Sequence, residues 1–241
     1  MTNRTPIADF SYSDPPLGAR LGFGARLKTL LFAALTFIFA VWLSATELLR
    51  PEVPLFPARW ALARDAAGHR DAAATAAGIG FLRGDLFRDS AVTLAVNMPK
   101  AILDAPANTA ATNVTALRDA ARAAVLCAPL DTRAWLLLAG AAIERDEDPA
   151  NALKMSYYTG PSEPEVVSLR LRLALLSNAV DDTELQDLVI QQVGAILRSA
   201  PTLKPGIAEA WRGALPQGKR LLESAVRKLD VGLAEQLSGG R

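Results

Sequence analysis

Two regimes of hydrophobic patterning divide the chain. From Thr29 to Thr46, TLLFAALTFIFAVWLSAT, the sequence runs for 18 residues without a charge. Leu30, Leu31, Phe32, Leu35, Phe37, Ile38, Phe39, Val41 and Trp42 would surround a helix on all sides, leaving no polar face for water. At a rise of ~1.5 Å per residue, this length crosses most of the ~30 Å hydrocarbon core of a bilayer. Lys28 can extend the span by snorkelling, and Trp42 stands near the far end, where aromatic belts sit. The pattern predicts a transmembrane helix over 29–46. It reads as uncleaved, because the 28 residues before it are long for a signal and small-x-small pairs are lacking at its end.

Beyond Glu47 the apolar positions fall at helical spacing. Leu117, Ala120, Ala121, Ala124, Val125 and Ala128 form one stripe, and Ala134, Trp135, Leu138, Ala139 and Ala142 form the next, with Asp131 as the cap between them. The charged ERDED at 144–148 reads as a turn, and Asp148-Pro149 as a cap with the first helical residue. The helix that follows stops near Gly160-Pro161. Ser162-x-x-Glu165 and Thr183-x-x-Gln186 fit the capping box. They are expected to open helices whose faces carry Val167, Leu171, Ala174 and Leu175, then Leu185, Leu188, Val189, Ile196 and Ala200. Pro201 closes the second. Pro205 starts a short helix through Trp211, Pro216-Gln217-Gly218 breaks it, and Leu222, Ala225, Val226, Leu229 and Leu233 line a last helix ended by Gly239-Gly240. Strand signals are scarce, so the expected fold is all-α.

The flanks of the apolar run complete the organisation. Residues 1–28 carry Pro6, Pro15, Pro16, Gly18, Gly22 and Gly24 without a period, which predicts a flexible tail. Residues 47–57 form a juxtamembrane linker with three prolines in PEVPLFP, and 58–241 the helical domain. Arg20, Arg26 and Lys28 lie close to the near membrane edge, against Arg50 at the far one. By position this charge favours a cytoplasmic N-terminus and a helical domain outside, in the periplasm if the cell is bacterial.

The segment ARAAVLCAPLDTRAWLLLAGAAIE resembles the end of one tetratricopeptide repeat and the first helix of the next. Pro129 stands as the exit proline, Ala124 as the small residue before it, and Trp135, Leu138 and Ala139 as the W-x-x-L-A face. The resemblance implies an array of antiparallel helix pairs whose concave side binds peptides or helices. It covers about 45 residues, and the period is not kept: Pro129 to Pro161 is 32 residues and Pro161 to Pro201 is 40, with Val167 where a tryptophan is expected. MSYYTGPSEPEVVSLRLRLAL also resembles helical envelope proteins of alphaproteobacteria that accompany surface-polysaccharide genes. Tyr157, Tyr158, Thr159, Gly160 and Pro161 carry that likeness.

Composition narrows the function classes. The 26 Lys and Arg balance 25 Asp and Glu, and beyond residue 46 the counts are 22 and 23. No basic block exists to displace counterions from nucleic-acid phosphates. One cysteine, Cys127, excludes an intrachain disulfide and reads as a small buried hydrophobe in an apolar helix. His69, the only histidine, supplies neither a metal set nor a catalytic pair and reads as a solvated side chain. ERDED lacks the spacing of a calcium loop. Gly78, Gly80 and Gly84 lack the dinucleotide-binding spacing and read as helix ends or close contacts. Arg83-Gly84-Asp85 reads as a chance occurrence, and the Asn113-Val114-Thr115 sequon has meaning only in a eukaryotic secretory pathway, which an Ala-rich chain without disulfides gives no reason to assume. Catalytic, cofactor and metal residues are therefore none. The expected role is a membrane-anchored protein-binding scaffold or assembly factor of the bacterial cell envelope, in the inner membrane through residues 29–46. Its partner would be a protein in or near that membrane, and it could also self-associate. The alternative is an accessory subunit or enzyme of surface-polysaccharide synthesis or export.

Overall fold

The computed structural model describes residues 23–50, 69–104 and 107–239; of 23, 96–104, 107–111 and 239 it describes the backbone alone. The tail to residue 22, the proline joint 51–57 and the start of the expected domain to residue 68 lie outside the described residues. Helix α1 (Phe23–Leu49) is 27 residues long. From Gly24 to Leu49 it is long and apolar enough to cross a membrane. Its large side chains, Leu30, Phe32, Leu35, Phe37 and Ile38 among them, are exposed.

The chain divides after Ser44 into two compact units. The second, from Ala45, carries ten helices among the described residues and no strand. They are α2 (Arg70–Ile79), α3 (Gly84–Asp104), α4 (Ala107–Cys127), α5 (Thr132–Ile143), α6 (Ala150–Thr159), α7 (Pro164–Leu175), α8 (Thr183–Ser199), α9 (Lys204–Gly213), α10 (Pro216–Arg227) and α11 (Val231–Gly239). Each packs on the next in sequence. A second order of packing joins α3 to α5, α5 to α7 and α7 to α9, and likewise α6 to α8 and α8 to α10.

Small and large residues share the core. Ala91, Ala121, Ala139, Ala141 and Ala174 are fully buried where helices approach, and Leu153, Leu171, Leu175, Val189, Ile207 and Leu222 fill the space between. The expected stripe of α4 points inward, with Leu117, Ala121, Ala124 and Val125 buried. Helix α5 differs from expectation. Leu136, Leu137 and Ala141 share the burial with Ala134 and Ala139, whereas Trp135, Leu138 and Ala142 are half-buried. The helix is apolar all round, so a single-face reading picks only one of two contacts. Trp135 covers Ala124, Val125 and Ala134 from the side, and its indole N–H donates to the Pro129 carbonyl at 2.8 Å.

Helix starts follow carboxylates and prolines. Asp131 caps α5 by accepting from the backbone N–H of Arg133 at 3.0 Å, and Asp148 accepts from Ala150 N–H at 2.9 Å. Neither predicted capping box forms. Helix α7 begins at Pro164, two residues past Ser162, because proline's fixed φ suits the first turn and its missing N–H costs nothing there. Helix α8 is capped by Asp182, which accepts from Leu185 N–H at 2.9 Å and displaces Thr183 from that role. The last predicted helix is two. Pro216 opens α10 instead of merely breaking α9. Asp230 then caps α11 by accepting from Leu233 N–H at 3.0 Å, leaving Leu229 exposed at the joint.

Candidate functional site

Leu169, Leu173 and Leu176 recur at i, i+4 and i+7 on α7 and its exit, beside the buried stripe and not within it. They face Leu136, Leu137, Gly140 and Ile143 of α5 across a groove of about 230 Å³. Ala95 of α3 and Leu117 of α4 close its side, and Glu144 and Arg172 stand on its edge. The floor depends on Gly140: a Cβ added there would meet nothing within 4 Å. A glycine inside a helix costs roughly 0.5–1 kcal/mol relative to alanine, and here no close contact requires one. Its absent side chain leaves the groove open.

Ile143 and Leu176 also line a second, larger hollow of about 690 Å³, so the two are neighbours. Asp146, Glu147, Asp148, Asp181 and Asp182 line it, without a lysine or arginine. Three of these carboxylates hold the fold. Glu147 pairs with Arg145 at 2.9 Å and Arg118 at 3.1 Å. Asp148 caps α6, and Asp182 caps α8 while pairing with Lys154 at 2.9 Å. The Arg145 hydrogen bond holds the Glu147 carboxyl below its ordinary range, and Lys154 does the same for Asp182. Asp146 has φ of 55° at the tip of the α5–α6 turn, a conformation that aspartate tolerates better than most residues. The groove therefore offers an apolar floor beside an acidic hollow, a pattern suited to binding an amphipathic segment.

Among the described residues, no group of three or more His, Cys, Asp or Glu is placed to hold a metal ion. His69 is exposed just before α2 and makes no capping bond. Cys127 is exposed, against the buried position read from its apolar surroundings. It ends α4, so its side chain points past the last core turn; its thiol donates to the Phe81 carbonyl at 3.8 Å. Gly80 ends α2, and Gly84 lets α3 touch α4, since a Cβ there would lie 2.7 Å from that of Ala128. Arg83 and Asp85 of the adhesion-like tripeptide pair with each other at 2.6 Å. Asn113 is half-buried within α4.

The groove itself was missed by sequence reasoning. Its signal lay in LRLRLALL at 169–176, where Leu169, Leu173 and Leu176 add to an apolar stripe already wide enough for the core. Compared with known proteins, the chain matches no family model, no curated protein and no solved structure.

Proposed function

We propose that the chain is a membrane-anchored protein-binding scaffold or assembly factor of the bacterial cell envelope. In this reading α1 crosses the inner membrane, the N-terminal tail is cytoplasmic, and the helical unit stands in the periplasm. A partner protein in or near that membrane lays a segment in the groove between α5 and α7. The packing of alternate helices, α3 on α5 on α7 on α9 and α6 on α8 on α10, supports a tetratricopeptide-like array, because stacked helix pairs meet in this order. Among the described residues no aromatic side chain lines either hollow, which supports a protein ligand over the glycan of a polysaccharide machine.

The observation that carries the proposal is the open floor at Gly140. A Cβ at this position meets open space, so a leucine there is expected to occupy the groove and to separate binding from folding. In a strain where loss of the gene has a phenotype, Gly140→Leu should reach the membrane at normal level and thermal stability yet fail to complement. Full complementation by a stable Gly140→Leu protein would remove the groove from the function.

A further inference from the structure

Outside α1, five of the eight large apolar side chains exposed among the described residues, and the four most exposed of them, are gathered at one place; Tyr158, Leu229 and Val231 lie elsewhere. Phe81 and Leu82 on the α2–α3 turn are 62% and 68% exposed, and Leu126 and Leu130 at the end of α4 and the turn after it are 75% and 80% exposed. Ile79 adds to them. Two contacts hold these segments side by side: the Cys127 thiol on the Phe81 carbonyl, and Gly84 against Ala128. The same turn is fastened to the segment that follows the apolar run. Arg83 donates to Thr46 Oγ1 at 3.0 Å and pairs with Glu47 at 2.6 Å. A Cβ on Gly80 would lie 3.4 Å from the Thr46 methyl group.

We propose that this tip rests in the headgroup–acyl boundary of the bilayer that α1 crosses, with Phe81, Leu82, Leu126 and Leu130 as its wedge. The inference rests on the membrane-anchor reading and adds a second, non-spanning contact to it. Glu47 is the first charge after the apolar run, so it marks headgroup level on that side. A side chain paired with it at 2.6 Å stands at the same level, and Phe81 and Leu82 are the two residues preceding Arg83. The charges beside the wedge are already neutralised. Arg50 pairs with Asp89 at 2.8 Å, and Arg83 with Asp85, so the wedge brings no bare carboxylate to an anionic surface. Exposed aromatic and leucine side chains at such a depth gain by leaving water, as in interfacial helices and loops.

Cys127, the only cysteine, lies within the tip and serves as reporter. The full chain is placed in lipid nanodiscs at one copy per disc, with an environment-sensitive fluorophore on Cys127 and nitroxide groups high on the acyl chains. A Cys127→Ser, Ser224→Cys variant carries the same label on the exposed face of α10. The Cys127 label should be quenched several-fold more strongly than the label at 224. Replacing Phe81, Leu82, Leu126 and Leu130 by Ser should remove the difference while the chain stays in the disc. Equal quenching at 127 and 224 in an integrated chain would overturn the proposal but leave the anchor. Protection of Cys127 that needs two copies per disc would overturn it in favour of self-association. A chain that alkaline carbonate washes from native membranes would overturn the anchor reading, and this proposal with it.

Discussion

Arg170 carries a guanidinium into the space between α5, α6 and α7 and, among the described residues, forms no ion pair there, the Glu163 carboxylate acting on it only at longer range. It is fully buried. One nitrogen donates to the Gly160 carbonyl at 2.8 Å, and the group lies 4.7 Å over the Tyr157 ring. Two Arg170 nitrogens and the Tyr157 hydroxyl have no partner. Burial pushes the Arg170 pKa down and that of Tyr157 up. A cation in this setting keeps a desolvation cost that the Gly160 carbonyl, a long bond to the Thr132 hydroxyl at 3.4 Å, the Tyr157 ring and the more distant Glu163 charge offset only in part. Arg170→Met, similar in length and apolar, should therefore leave stability unchanged or raise it by ~1–4 kcal/mol. Denaturant midpoints in detergent would show this, and a large loss would mean that the guanidinium is a net stabiliser. Two glycines make an opposite pair. Gly140→Ala should stabilise by roughly 0.5–1 kcal/mol. Gly218→Ala should cost ~1–3 kcal/mol, because its Cβ would lie 2.5 Å from the Leu175 carbonyl oxygen, a backbone atom that cannot turn aside. Equal midpoints for the two variants would contradict the packing of α10 on the end of α7.

At the scale of the helix, carboxylate caps decide where elements begin and how they respond to acid. Asp131 both caps α5 and pairs with Arg88 at 2.8 Å. Asp131→Ala should cost about 0.5–2 kcal/mol for the cap alone, whereas Asp131→Asn keeps the acceptor and should lose less. Lys154 and the Leu185 N–H hold the Asp182 carboxyl below its usual range, and Lys204 and the Leu233 N–H do so for Asp230. A carboxyl that ionises more readily in the folded chain stabilises it at every pH above the unfolded value. That contribution is lost as pH falls through the folded value. Thermal stability should thus be level down to about pH 4 and decline below it. The Asp182→Asn, Asp230→Asn double variant should be less stable at neutral pH and show a shallower acid decline. An identical acid slope would mean that these pairs contribute nothing.

Much of this level was legible in the sequence. Asp131, Asp148, Gly160 and Pro201 mark real boundaries because cap and breaker chemistry is local. Ser162 and Thr183 misled because a stronger local signal stood one or two residues away: Pro164 with its fixed φ, and Asp182 with its charge. The joint between α10 and α11 was hidden because Leu222, Val226, Leu229 and Leu233 keep helical spacing across it. The exposure of Cys127, and which helix faces the extra leucines of α7 across Gly140, were illegible for a different reason. Whether an apolar position meets a neighbour or solvent is set by which helix packs across it, and spacing along one chain does not carry that.

For the molecule as a whole, the proposed anchor and the proposed binding role lead to separate experiments. A reporter active only in the periplasm, fused after Arg241, should be positive on a full-length product that carbonate does not extract. A shortened soluble product would mean cleavage, and a negative reporter on intact protein would reverse the orientation. His69→Ala with Cys127→Ser should complement a deletion strain fully, since neither side chain sits in the groove. Failure of that folded double variant would point to chemistry. The packing order has a consequence in time as well. Helices that pack substantially on one another lie one to three places apart in sequence. Little chain entropy must be spent before such contacts form, so folding is fast and can proceed in step with the chain's arrival. On the proposed topology, the polypeptide emerging behind its own membrane helix completes each described hairpin as it clears the translocation channel. The hairpins from α2 onward would then present little unfolded chain to the proteases outside.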